Sequence, residues 1–156
     1  MVKQSVFLKA ELEGVSNIYP EPHKIWFVKL KCSNCGETPD NFIGIDPENI
    51  ETVGKANVNL LMSCKMCKRE NSVLIDPSIK YADRTIQSEE EFEVVRFDCR
   101  GVEIEEFDPR DEWFVVSESG KVYDSIDLGS EWSEYEESTS SSLTIMEIQS
   151  EIKKTK

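Results

Sequence analysis

Leu8-Lys9-Ala10-Glu11-Leu12-Glu13-Gly14-Val15, followed eleven residues later by Trp26-Phe27-Val28, decides the fold. The pattern returns in register 87 residues on, as Val95-Arg96-Phe97-Asp98-Cys99-Arg100-Gly101-Val102 and then Trp113-Phe114-Val115. Val6, Leu8, Ala10 and Leu12 alternate with Phe7, Lys9, Glu11 and Glu13, the period of a half-buried strand. Val95, Phe97 and Cys99 alternate with Arg96, Asp98 and Arg100 in the same way. Gly-Val and Trp-Phe-Val recurring at one spacing point to two copies of a β-rich unit, residues 1–85 and 86–156, sharing one core. Leu60-Leu61-Met62 is matched to Thr144-Ile145-Met146 at an offset of 84.

Further strands are expected at 24–31, 41–45, 56–63, 71–75, 112–117, 121–128 and 142–149, with a polar linker at 76–91. Ser138–Ser142 reads as a loop and Lys153–Lys156 as a fraying end. No segment has the length and 3.6-residue period of a long helix. The expected class is mainly β, an internally duplicated sheet or sandwich. A length of 156 residues is enough to bury such a core unaided.

Four of the five cysteines form two pairs, Cys32-Ser33-Asn34-Cys35 and Cys64-Lys65-Met66-Cys67. A two-residue spacer lets both sulfurs of a tight turn reach one ion. Two such turns complete a tetrahedral four-sulfur shell, with Zn–S bonds of about 2.3 Å. Gly36 supplies the backbone freedom that such a turn needs. With Cys32, Cys35, Cys64 and Cys67 all bound, no open position remains for a water, so one structural Zn2+ per chain is expected and no catalytic metal. Four thiolates on Zn2+ carry a charge of −2, which Lys31, Lys65, Lys68 and Arg69 would offset. In the second copy Cys32 falls on Ser119 and Cys35 on Val122, so only the first copy is expected to hold metal.

No catalytic constellation stands out. His23, the one histidine, lies in the turn Tyr19-Pro-Glu-Pro-His-Lys24 and reads as a surface residue. No phosphate-cradling glycine motif is present. Cys99 shares a face with Val95 and Phe97 and reads as a buried core thiol. The chain is not expected to be an enzyme.

The net charge of −13 lies wholly in one half. Residues 1–85 hold eleven acids and eleven bases, whereas residues 86–156 hold twenty acids and seven bases. Such acidity argues against non-specific nucleic-acid binding and suits docking of a basic protein. No apolar run is long enough for a membrane span, and charges interrupt the first fourteen residues, where a secretory signal would be apolar. A cytoplasmic or nuclear monomer is expected, not a secreted one.

Lys31-Cys-Ser-Asn-Cys-Gly-Glu37, Cys64-Lys-Met-Cys67 followed by Arg69-Glu70-Asn71-Ser72, Phe97-Asp-Cys-Arg-Gly101 and Trp132-Ser-Glu-Tyr-Glu136 together resemble the eukaryotic CXXC motif containing zinc binding protein family. The resemblance spans essentially the whole chain. It implies a mainly β, duplicated fold with one tetrahedral zinc on Cys32, Cys35, Cys64 and Cys67, and it implies no enzymatic activity. Three functional readings follow: a structural-zinc protein that binds another protein; a thiol-redox or metal-handling protein using the CxxC pairs or Cys99; and a zinc-ribbon-like nucleic-acid binder centred on Lys65, Lys68 and Arg69.

Overall fold

The computed structural model describes residues 2–155, and among them there are only strands, turns and loops, with no helix. The first half contributes β1 (Val2–Glu13), β2 (Val15–Pro20), β3 (Trp26–Cys32), β4 (Ile43–Ile45), β5 (Glu51–Val53), β6 (Ala56–Val58), β7 (Leu60–Ser63) and β8 (Glu70–Ile75). The second contributes β9 (Phe92–Arg100), β10 (Val102–Asp108), β11 (Trp113–Ser117), β12 (Val122–Ile126), β13 (Trp132–Glu136) and β14 (Ser141–Thr155).

One six-stranded sheet has the order β13-β14-β1-β9-β8-β7, and two three-stranded sheets run β10-β3-β4 and β12-β11-β2. β5 and β6 form a separate hairpin. The large sheet has β1 and β9 at its centre, antiparallel, with Val6 opposite Val95. Each small sheet takes strands from both sides of residue 85, since β2 pairs with β11 and β10 pairs with β3. The repeated Gly-Val steps make this exchange feasible. Gly14 and Gly101 both have positive φ (70° and 79°), which turns the chain out of the large sheet into a small one. A side chain would not fit either place: a Cβ on Gly14 would lie 2.5 Å from Leu143 Cδ2, and one on Gly101 2.2 Å from the Asn71 amide.

The repeated tryptophans meet in the core, Trp26 and Trp113 packing edge-to-face with centroids 5.7 Å apart. Around them lie Val6, Leu8, Val95 and Phe97 of the large sheet and Val28, Val115 and Ile104 of the small ones. Alternation predicts this, because the buried positions that these residues occupy on their strands are apolar.

Several expectations change. Residues 56–63 form two strands in different sheets, because Val58 ends the small hairpin and Leu60 starts an edge strand beside β8. β2, β5, β10 and β13 were not expected. A bulge between Ile104 and Glu106 breaks the alternation of β10. Lys153–Thr155 do not fray but continue β14 along β1, while Lys156 lies outside the described residues. Residues 76–91 are irregular yet tied down, with Ile86 buried and its N–H donated to the Ser16 carbonyl. Leu60–Met62 lie on the edge strand β7, whereas Thr144–Met146 lie on the inner strand β14, so the match at offset 84 does not join equivalent strands.

Lys24, unremarkable in sequence, is 1 % exposed. Its ammonium donates to the carbonyls of Pro109 (2.7 Å) and Asp111 (2.5 Å) and lies 5.0 and 4.8 Å from the ring centroids of Trp26 and Trp113. Burial lowers its pKa to about 8, against the opposing pull of Glu112, Asp111, Asp108 and Asp127. Lys24→Ala should cost about 2–4 kcal/mol in urea unfolding, because it removes the donor to the Asp111 carbonyl, leaves the Pro109 carbonyl with the Trp113 indole N–H, and opens space beside both rings. His23→Ala, at an exposed residue whose imidazole touches the Glu48 carboxylate, should change stability by less than about 0.5 kcal/mol.

Candidate metal centre

Cys32 is the last residue of β3, and Cys35 sits in the turn beyond it. Cys64 follows β7, and Cys67 sits in the turn leading to β8. The two turns have the same construction. Gly36 N–H donates to the Cys32 carbonyl and Lys68 N–H to that of Cys64, both at 2.8 Å. Cys32 N–H is held by the Glu37 carbonyl and Cys64 N–H by that of Arg69, both at 2.9 Å. The fifth position takes positive φ each time, Gly36 at 80° and Lys68 at 65°. Ser33 N–H donates to the Gly101 carbonyl at 2.9 Å, anchoring the first turn to the start of β10.

These turns bring together the four thiols that the sequence singled out. Cys32 Sγ is 3.7 Å from Cys67 Sγ, Cys35 Sγ is 3.6 Å from Cys64 Sγ, and all four sulfurs lie within 4.8 Å of one another. A tetrahedron with bonds of about 2.3 Å has edges of about 3.8 Å, so the set is sized for one zinc ion. The sulfurs share too little charge-stabilising help to ionise alike. The backbone N–H of Cys35 favours the Cys32 thiolate, and the Asn34 side-chain amide, with the Arg69 N–H, lowers Cys67 to about 6. Against the pull of the Glu37 N–H, desolvation and the sulfurs of Cys64, Cys32 and Cys67 push Cys35 up to about 12. A divalent cation would stabilise all four thiolates together. Among the described residues no histidine or carboxylate joins the cluster.

The centre is at the surface: Cys32 and Cys64 are buried, while Cys35 is exposed. Lys31, Lys65, Lys68 and Arg69 are exposed around it, with Arg69 3.5 Å from Asn34 Oδ1. Asn34 was missed in sequence. Its position between two ligands was the available signal, since a polar side chain there faces the opposite turn. Cys99 stands apart, 0 % exposed, its thiol pushed up to about 12 by burial and then by Asp98 and Glu103. His23 is exposed and outside the cluster.

The family model described as CXXC motif containing zinc binding protein, eukaryotic, matches residues 5–153. A UPF0587 protein of Dictyostelium discoideum is 62% identical over 157 residues, covering 100% of both chains. The CXXC motif containing zinc binding protein of Rattus norvegicus is 33% identical over 153 residues, covering 95% of this chain and 96% of the rat protein. The crystal structure of C1orf123 superposes with a TM-score of 0.92 at 31% identity, covering 98% of this chain and 99% of that one. A hypothetical protein from Plasmodium falciparum shares the fold, with a TM-score of 0.84 at 20% identity over 98% of this chain and 100% of that one. The chain belongs to the eukaryotic CXXC motif containing zinc binding protein family, and its four-cysteine cluster could hold the one zinc that such a family binds.

Cys64→Ser should lower zinc content below one per chain in elemental analysis and reduce the melting temperature. Unchanged melting would make the metal peripheral. Cys99 should resist alkylation in the folded protein and react only on unfolding.

Proposed function

We propose that the zinc is structural and that the protein works by binding a basic protein partner through its acidic second half, without enzymatic activity of its own. The closed four-sulfur set supports the first part, because four thiolates saturate a tetrahedral ion and leave no position for a reacting water. The second part is carried by one observation. Tyr135 is 55 % exposed on β13, an edge strand of the large sheet, and is flanked by exposed Glu134 and Glu137. An aromatic side chain can anchor a contact while the carboxylates steer its approach. The docking surface is narrower than the acidic sequence runs suggest. Glu136 is 2 % exposed, Phe92 6 % and Phe107 8 %, so none of these can face a partner.

The exposure of Cys35 favours metal handling as the second reading, since an incoming ligand could reach a sulfur from solvent. Rapid exchange of bound zinc for isotopically labelled zinc would support that reading, and exchange only on unfolding would support the structural one. Redox use of Cys99 is disfavoured by its burial.

The docking proposal is tested by cross-linking and recovery of partners from cells with the Glu134→Gln, Tyr135→Ala, Glu137→Gln protein. Association with the native protein should slow as salt rises, since exposed charges are screened beyond about 8 Å at physiological ionic strength. The variant should keep its zinc and fold but lose partners. Equal recovery of every partner would make the acidic half a solubility feature.

A further inference from the structure

At the opposite end of the molecule, the second half builds the same pair of turns around different chemistry. The turn after β11 corresponds to the first CxxC turn by its hydrogen bonds. Ser117 N–H is held by the Lys121 carbonyl and Gly120 N–H by that of Ser117, as in the turn that begins at Cys32. Glu118 N–H donates to the Gly14 carbonyl at 2.9 Å, just as Ser33 N–H donates to that of Gly101. Ser117 is therefore the counterpart of Cys32. With this turn one residue shorter, Ser119 is the counterpart of Cys35. β11 has five residues against seven in β3, which moves the counterpart of Cys32 from Ser119 back to Ser117.

The turn between β13 and β14 matches the second CxxC turn. Glu136 pairs with Ser141, as Cys64 pairs with Arg69, and Ser140 has φ 53° where Lys68 has 65°. Glu136 thus stands at the place of Cys64 and Thr139 at that of Cys67. The four side chains converge as the four thiols do. Ser117 Oγ and Ser119 Oγ are 2.7 Å apart, Ser119 Oγ donates to Glu136 Oε1 at 2.5 Å, and Thr139 Oγ1 donates to the same oxygen at 3.0 Å. Tyr123 OH donates to Glu136 Oε2 at 3.0 Å.

We propose that this cluster is a metal-free clasp, the counterpart of the zinc cage. A buried carboxylate at its centre accepts from surrounding hydroxyls and so closes the second-half turns without zinc. The charge pattern is inverted: the cage gathers anionic ligands on a cation, whereas the clasp gathers neutral donors on an anion. Ionised Glu136 is satisfied there, and the donation from Ser119, with help from Ser117, Thr139 and Tyr123, holds its pKa down to about 2. Metal supply then governs one end of the molecule only. That last consequence rests on the zinc reading of the first-half turns, whereas the clasp itself does not.

Hydrogen exchange followed by mass spectrometry tests this on the full chain. Chelating zinc from the native protein should speed exchange at 32–37 and 64–69 at least tenfold and leave 117–121 and 136–140 unchanged. Opening of both ends together would overturn the proposal. Glu136→Ala should speed exchange at 117–121 and 136–140 at least tenfold while zinc stays at one per chain. Glu136→Gln, which keeps the shape and one acceptor oxygen, should fall between Glu136→Ala and native. Unchanged exchange in Glu136→Ala, or Glu136→Gln matching native, would also overturn it. Absence of zinc in the native protein would defeat the zinc reading but leave the Glu136 comparisons intact.

Discussion

Strand exchange between the two halves is the constraint on which everything else rests. β2 finds its partner only in β11, and β10 finds its partner only in β3. Neither half can satisfy these backbone groups alone, and an unpaired buried N–H or carbonyl costs about 1–3 kcal/mol. The central β1–β9 pair and the Trp26–Trp113 contact lock the exchange from within. The chain can leave the large sheet sharply enough only at Gly14 and Gly101, where φ is positive and no room exists for a side chain.

The exchange leaves two turns side by side at each end of the molecule, and each pair needs something between them. Turns built from polar backbone do not hold together by apolar burial. At one end four sulfurs stand at the spacing of a zinc shell. At the other, a carboxylate lies among hydroxyls, almost wholly removed from water. Both arrangements remove local charge from water at a cost, and both offset it by surrounding that charge with matched partners. Exposed Glu134 and buried Glu136 both belong to β13, so the acidic surface and the clasp share a strand but not a role.

Much of this was legible in the sequence. The alternation of residues 6–13 and 95–100 gave two central strands, and the recurrence of Gly-Val and Trp-Phe-Val identified the residues that meet in the core. The two CxxC pairs singled out, by spacing alone, the four thiols that the fold brings within 4.8 Å of one another. The correspondence past Trp113 was not legible, because β11 is shorter than β3 and its turn shorter still, so a fixed offset set Cys32 against Ser119. Glu136 was hidden for another reason. In a run of acids nothing in the residue type separates a buried, hydrogen-bonded carboxylate from its solvated neighbours. Lys24 was hidden in the same way, as one lysine in a proline-rich turn. β10 escaped notice because its bulge interrupts the alternation.

The central claim is that Cys32, Cys35, Cys64 and Cys67 together form a closed, structural zinc shell. X-ray absorption at the zinc edge of the purified full-length protein tests it most directly. Four sulfur neighbours at about 2.3 Å and no lighter scatterer in the first shell are the predicted result. A nitrogen or oxygen neighbour at about 2.0–2.1 Å would mean an open or differently bound ion and would contradict the account.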